Sequence, residues 1–354
     1  MSLVSAIIAA NKQDRSSSII VGHQASPYVG GYNWTLENGY GAKYTDPASI
    51  GGQGDRGAKF SWARNSFCIQ NSTGGTPYIH AWPFNPQTGF GTKFSNPSSA
   101  LNSIGIGGVA FTRRDTAVAC GGGSSPFINA YKWSNSTGFG TKYANPSTLP
   151  TQQARGVVFS GTGRALLWGD GGTAVARAYA WDDATGFGTA YTASSAAAAG
   201  TFMDGIALNM KSTTVVLGID ASPRISAWPW NDDTGFGTRY ANPGTIHSGA
   251  GQLVDFNGAG DVVAQAYSAT SPYIRAYRWT DANGWGTLYS NPASLPTAAL
   301  LDVRFSSGDN AITAGVLANP ATNTWKWSYA DGFGTKYSNP GTVIAAVGLT
   351  SVFN

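Results

Sequence analysis

The chain has 354 residues, a net charge of +4 and only 11% charged residues, against about 25% in an average globular protein. Glycine is abundant at 47, aromatic residues reach 12%, and Glu37 is the single glutamate. This excludes a mainly helical protein, because strong helix formers are scarce, and it excludes disorder, because 42% hydrophobic residues can fill a large core.

The first segment is the short apolar run at 3–10. It has no basic region before it, so residues 1–17 read as an arm or short helix and not as a signal peptide. No later apolar stretch approaches the roughly 18 residues of a bilayer span, so no membrane insertion is expected. Lys and Arg are spread thinly, and no nucleic-acid partner is expected.

From residue 18 onward the chain repeats. A Gly-aromatic-Gly segment, followed by Thr or Ala, one variable residue and Tyr or Phe, begins at Gly39, Gly89, Gly138, Gly186, Gly235, Gly284 and Gly332. The intervals are 50, 49, 48, 49, 49 and 48 residues. Seven such units span 18–47, 57–97, 106–146, 155–194, 204–243, 252–292 and 301–340, which leaves no room for independent domains.

Each unit reads as four short strands. A Phe-centred strand comes first, as in GVAFT at 108–112, GVVFS at 156–160 and DVRFS at 302–306. After a polar turn follows an apolar strand such as ALLWG at 165–169. The third opens with Ser/Thr-Pro and alternates, as in SPFINAYKW at 125–133. A polar turn leads into the Gly-aromatic-Gly strand, which Asn-Pro ends.

Four strands per unit of about 49 residues predict an all-β protein, a seven-bladed β-propeller with antiparallel blades. The Phe-strand marker recurs at Phe60, Phe111, Phe159, Leu208, Phe256, Phe305 and Phe353. The last lies one strand into an eighth unit, while the first unit shows only its second to fourth strands. Residues 348–354 are therefore expected to complete blade one and close the ring. The competing candidate for that place is VSAIIAAN at 4–11. Cys68 and Cys120 occupy nearly the same position of adjacent units. Packed sheets lie about 10 Å apart and a disulfide needs Cα atoms within about 7 Å, so both are expected as buried free thiols.

This pattern resembles the seven-bladed β-propeller superfamily, in the broad sense that covers WD-repeat and kelch proteins. It lacks the Gly-His to Trp-Asp pairing of the former and the regular double glycine of the latter. The wording GFGTKYSNP at 332–340, with Trp327 upstream, resembles repeats of uncharacterised proteins of tailed bacteriophages. That resemblance implies a virion protein, with other virion proteins or a host-surface receptor as partners.

Local chemistry is sparse. His23, His80 and His247 sit in no nucleophile or metal motif, and the acid pairs Asp182-Asp183 and Asp232-Asp233 fall in hairpin turns, where Asp is favoured. The glycine runs at 121–123 and 169–172 match no phosphate loop, and Asp170 heads no calcium ladder. No catalytic residue, cofactor or metal is expected. An enzyme on this fold would instead show polar residues from several blades converging at one mouth of the channel.

Two repeated features are candidate surfaces. One is the aromatic ladder of Trp34, Trp82, Trp133, Trp181, Trp228, Trp230, Trp279, Trp325 and Trp327, which could stack on sugars, although packing between blades is the favoured reading. The other is the outer-strand cation at Lys43, Lys93, Lys142, Arg239 and Lys336, which could steer toward an anionic partner or simply protect a sheet edge, the reading favoured here. Blade four departs from the pattern, with Ala190 at the cation position and SSAAAAG at 194–200, so Ala197 and Ala198 mark a candidate docking rim. The expected function is a non-enzymatic interaction scaffold of the virion structural, decoration or host-attachment kind. The alternative is a multivalent lectin.

Overall fold

In the computed structural model, the described residues are 17–354 except 49, 55–56, 100, 102–107, 174, 198–202 and 345. Among them, 28 strands form seven four-stranded antiparallel sheets, six of them each built from one sequence unit. The chain is a seven-bladed propeller.

Blade one is the exception to sequential order. Its inner strand is Gly348–Phe353, paired antiparallel to Ser18–His23 with Ile20 opposite Val352 and Val21 opposite Ser351. The C-terminal strand thus closes the ring and removes two sheet edges; the competing candidate at 4–11 lies outside the described residues. The expected arm falls outside the described residues except for Ser17, whose carbonyl already accepts the Trp34 N–H at 3.0 Å.

The repeated motif is explained by contacts across each blade junction. Its first glycine has φ between +75° and +87° in all seven blades, a left-handed conformation that a Cβ penalises. The same glycine lies under the aromatic ring that ends the previous blade's outer strand. A Cβ on Gly186 would sit 2.7 Å from Tyr143, and one on Gly39 would sit 2.7 Å from Tyr337. The tyrosine hydroxyl then donates to a carbonyl in the next hairpin: Tyr143 to Asp183 at 2.6 Å, Tyr240 to Asp281 at 2.7 Å, Tyr337 to Leu36 at 2.6 Å. The last of these crosses the closure between blades seven and one.

The tryptophans fill the wedges. Trp181 meets Tyr143 of the preceding blade edge-on at 4.9 Å and Phe159 of its own inner strand at 5.0 Å. All nine ladder tryptophans are at most 6% exposed. Trp133, Trp181, Trp230 and Trp279 donate their indole N–H two residues ahead, as Trp181 does to Asp183 at 2.9 Å and Trp279 to Asp281 at 3.0 Å. The indole N–H groups of Trp34 and Trp327 at the same position are buried without a partner. Burying 150–250 Å² of ring is worth roughly 4–6 kcal/mol each as an upper value. Packing is therefore their role.

Candidate functional site in the central channel

The seven inner strands surround an axial cavity of about 340 Å³. Alternation along a strand turns the Phe marker toward the blade junction and brings the residue before it to the cavity wall. Around the ring that wall position is Val352, Lys59, Ala110, Val158, Ala207, Asp255 and Arg304, from blades one to seven in order. The small residues stand together in blades three to five. Lys59, Asp255 and Arg304 charge the wall from blades two, six and seven.

Arg304 is 7% exposed. Its Nη1 lies 3.3 Å from Asp302 Oδ1 and donates to the Val303 carbonyl at 3.2 Å, while its Nε is buried without a hydrogen-bond partner. Asp302 is fully buried and also accepts the Val303 N–H at 2.8 Å and the Thr350 hydroxyl. Asp255 accepts the Phe305 N–H at 3.0 Å. Burial raises the Asp255 pKa, opposed by the positive charges of Arg304 and Lys59. Burial, reinforced by Arg304, lowers Lys59 to about 8. Two basic side chains and one carboxyl group thus face the cavity. Asp302 is already engaged by Thr350, a backbone N–H and Arg304.

The mouth of the cavity is formed by turns that follow the inner strands. Trp62 stands there 44% exposed. Asp115 of blade three accepts the backbone N–H groups of Trp62 and Ala63, both at 2.8 Å, and Arg113 lies 5.6 Å from the Trp62 ring centroid. Beside them Arg64 donates to the Asn354 carbonyl at 3.3 Å, and the Asn354 amide returns a bond to the Arg64 carbonyl at 3.0 Å. The closing strand is thereby tied into the mouth.

The residues singled out by repeat position lie elsewhere. Lys43 pairs with Asp46, Lys93 bonds Asn96 at 2.8 Å, and Arg239 bonds Asn242 at 2.8 Å. In each case the partner is the residue before the terminating proline, so the cation holds its own loop. Lys142 and Lys336 are half-buried at the same repeat position, and burial lowers the pKa of both. Ala197 is partly buried against the core that contains Trp228, while Ala198 lies outside the described residues. His23, His80 and His247 are each 3% exposed. Burial lowers His23 to about 4 and His80 to about 3. Asp182 accepts the backbone N–H groups of Ala184 and Thr185, and Asp170 pairs with Arg177 at 2.5 Å. Cys68 and Cys120 are free and fully buried, and burial pushes both thiol pKa values up. Among the described residues, no group of three or more His, Cys, Asp and Glu side chains comes together in a metal-binding arrangement, and no helix is long and apolar enough to cross a membrane.

Lys59, Asp255 and Arg304 escape a motif search because nearly 50 residues or more separate any two of them. Aligning the units on the Phe marker exposes them, since one column then holds three charges among small apolar residues.

No protein-family model and no curated protein matches the sequence. Solved structures match it along almost its full length. A candidate 6-phosphogluconolactonase of Bacteroides uniformis aligns with a TM-score of 0.75 at 12% identity, over 97% of this chain and 100% of that one. A protein of Lactobacillus plantarum gives 0.72 at 13% identity, over 96% and 99%. The periplasmic gluconolactonase of Pseudomonas aeruginosa gives 0.69 at 9% identity, over 95% and 98%. At these identities the likeness is one of fold.

Proposed function

We propose that the protein is a ligand-binding propeller whose central cavity takes one small anionic molecule. The observation that carries this reading is the convergence of Lys59 and Arg304 on the cavity wall, with a buried Arg304 N–H that has no partner in the protein. An anionic head there gains charge-assisted hydrogen bonds of roughly 1.5–3 kcal/mol each. The apolar wall of blades three to five suits a ligand with an apolar flank, and Trp62 covers the mouth. The reading is one of binding; polar residues converging from several blades are also what an enzyme on this fold would show, so the test includes turnover. The gluconolactonase named among the structural neighbours makes sugar lactones and sugar acids compounds to include in the test.

The test is calorimetric titration with small carboxylic and phosphoric acids, each beside a neutral isostere. Saturable 1:1 binding of acids only, weakened about tenfold or more in Arg304→Met, supports the reading. Equal binding of neutral isosteres would refute it. Turnover of a sugar lactone that Arg304→Met abolishes would replace binding with catalysis.

A second reading keeps the interaction scaffold of a virion or host-attachment protein. It is favoured by Leu149, Ile246, Leu295 and Val343, which lie three residues after the terminating proline of their loops and are 38–43% exposed. Changing Leu149 and Leu295 to Gln should then weaken incorporation into particles without lowering the melting temperature, and unchanged incorporation would remove the idea.

A further inference from the structure

A second cluster of unsatisfied polar groups lies at the junction of blades five and six, independent of the channel. Arg224 belongs to the turn after the second strand of blade five, and Arg275 to the third strand of blade six, Ile274–Thr280. Both are half-buried. Arg224 Nε, and Arg275 Nε and Nη1, are buried with no hydrogen-bond partner.

Two glutamines accompany them. Gln265, fully buried and opposite Arg275 in the sheet, donates its amide to the Arg224 carbonyl at 2.7 Å. Gln252, 5% exposed, donates to Ser268 Oγ at 3.1 Å. With each amide nitrogen engaged, both Oε1 atoms are left buried and unpartnered. His247, stacked on Tyr267 at 4.0 Å, adjoins the group; burial lowers its pKa, and the charges of Arg275 and Arg224 reinforce the effect.

The repeat supplies an internal control. Blade four carries Arg177 at the position of Arg275, opposite Trp168 as Arg275 is opposite Gln265. Two residues further along that partner strand, Asp170 neutralises Arg177 at 2.5 Å. In blade six the same register position is Tyr267, which offers no carboxylate. Among the described residues, neither Arg224 nor Arg275 is ion-paired.

We propose that this junction is an anion site for a small oxyanion that also carries a hydroxyl, with hydrogen phosphate as the simplest example. The negative oxygens meet the free donors of Arg224 and Arg275. The P–OH group donates to the free Oε1 of Gln252, the one of the two glutamines that is not fully buried. Sulfate brings the charge but no proton to donate, so Gln252 discriminates against it.

The test is calorimetric titration of the full chain with inorganic phosphate and with sulfate, at neutral pH and constant ionic strength. Phosphate should bind saturably, and sulfate about fivefold or more weakly, the equivalent of one hydrogen bond. Arg275→Met should weaken the junction site for phosphate about tenfold or more, and that site should persist in Arg304→Met, the variant that takes away the channel's own affinity for phosphoric acids. Absence of saturable phosphate binding overturns the proposal. So does binding that survives Arg275→Met and disappears in Arg304→Met, which would place the anion in the channel. Should Arg275→Met fail to fold, Gln252→Met keeps both arginines and should erase the preference for phosphate. A retained preference would overturn the assignment.

Discussion

The contact between the motif glycine and the preceding blade's aromatic ring can be tested with a pair of substitutions. Gly138 and Gly235 share the same left-handed backbone, at φ +78° and +82°, so alanine costs each about 1–2 kcal/mol for conformation, partly offset by about 0.4–1 kcal/mol from a stiffer unfolded chain. Their surroundings differ. A Cβ on Gly138 would sit 2.6 Å from Phe94 Cγ, whereas one on Gly235 would sit 3.2 Å from Tyr191 Cδ1. Carbon atoms rest at about 3.5–4.0 Å, so the first contact forces the ring to move and the second asks for only a small shift. Overpacking of that kind costs roughly 1–3 kcal/mol. Gly138→Ala should therefore destabilise by about 2–4 kcal/mol and Gly235→Ala by about 1 kcal/mol. Guanidinium denaturation followed by tryptophan fluorescence reads both. Removing the ring should relieve the clash, so Gly138→Ala combined with Phe94→Ala should cost less than the sum of the single changes. Equal costs for the two glycines, or a larger one for Gly235→Ala, would refute the reasoning.

Other outcomes follow from the same structure. Deleting residues 348–354 should leave Ser18–His23 as an unpaired apolar edge and cause the chain to aggregate, which light scattering detects. Acid should destabilise the ring through its buried histidines: His80 titrates at about 3 when folded and about 6.5 when unfolded. The unfolded chain binds the proton more tightly, so this stability is intact above about pH 6.5 and falls as pH drops, by about 3 kcal/mol for His80 near pH 4.5. His80→Asn, the residue blade three has at Asn129, should flatten that limb of a stability profile against pH. Anion affinity in the channel should hold up to about pH 8 and decline above it as Lys59 loses its proton, with Lys59→Met showing no such decline. Cys68 and Cys120 should react with a thiol reagent only after unfolding, and rapid labelling of the native protein would contradict their burial.

The architecture is legible in the sequence because each blade repeats the whole set of contacts that defines it. The seven glycines report a backbone conformation, the tyrosine five residues on reports the neighbouring blade, and Phe353 reports the closure. The ladder tryptophans are legible as packing for the same reason, since a residue that recurs in every unit serves what every unit needs. The candidate site follows the opposite logic. Lys59, Asp255 and Arg304 are departures from the repeat, far apart in the chain and joined only by the circular arrangement of inner strands. Arg224 and Arg275 are also departures, and their lack of carboxylate partners becomes visible only when the sheet register sets Tyr267 beside Asp170 of blade four. Three of the outer-strand cations, Lys43, Lys93 and Arg239, hold the Asn or Asp that precedes the terminating proline, a local contact that a recurring charge in the sequence does not by itself reveal.

The claim that the channel is an anion site is tested most directly by anomalous diffraction from a crystal soaked with 4-bromobenzoate, whose carboxylate and apolar ring match the two walls. The account predicts a bromine peak inside the cavity, on the side of Val158 and Leu208, with the carboxylate at Lys59 and Arg304. A cavity without a bromine peak, while the compound binds elsewhere on the ring, would contradict it.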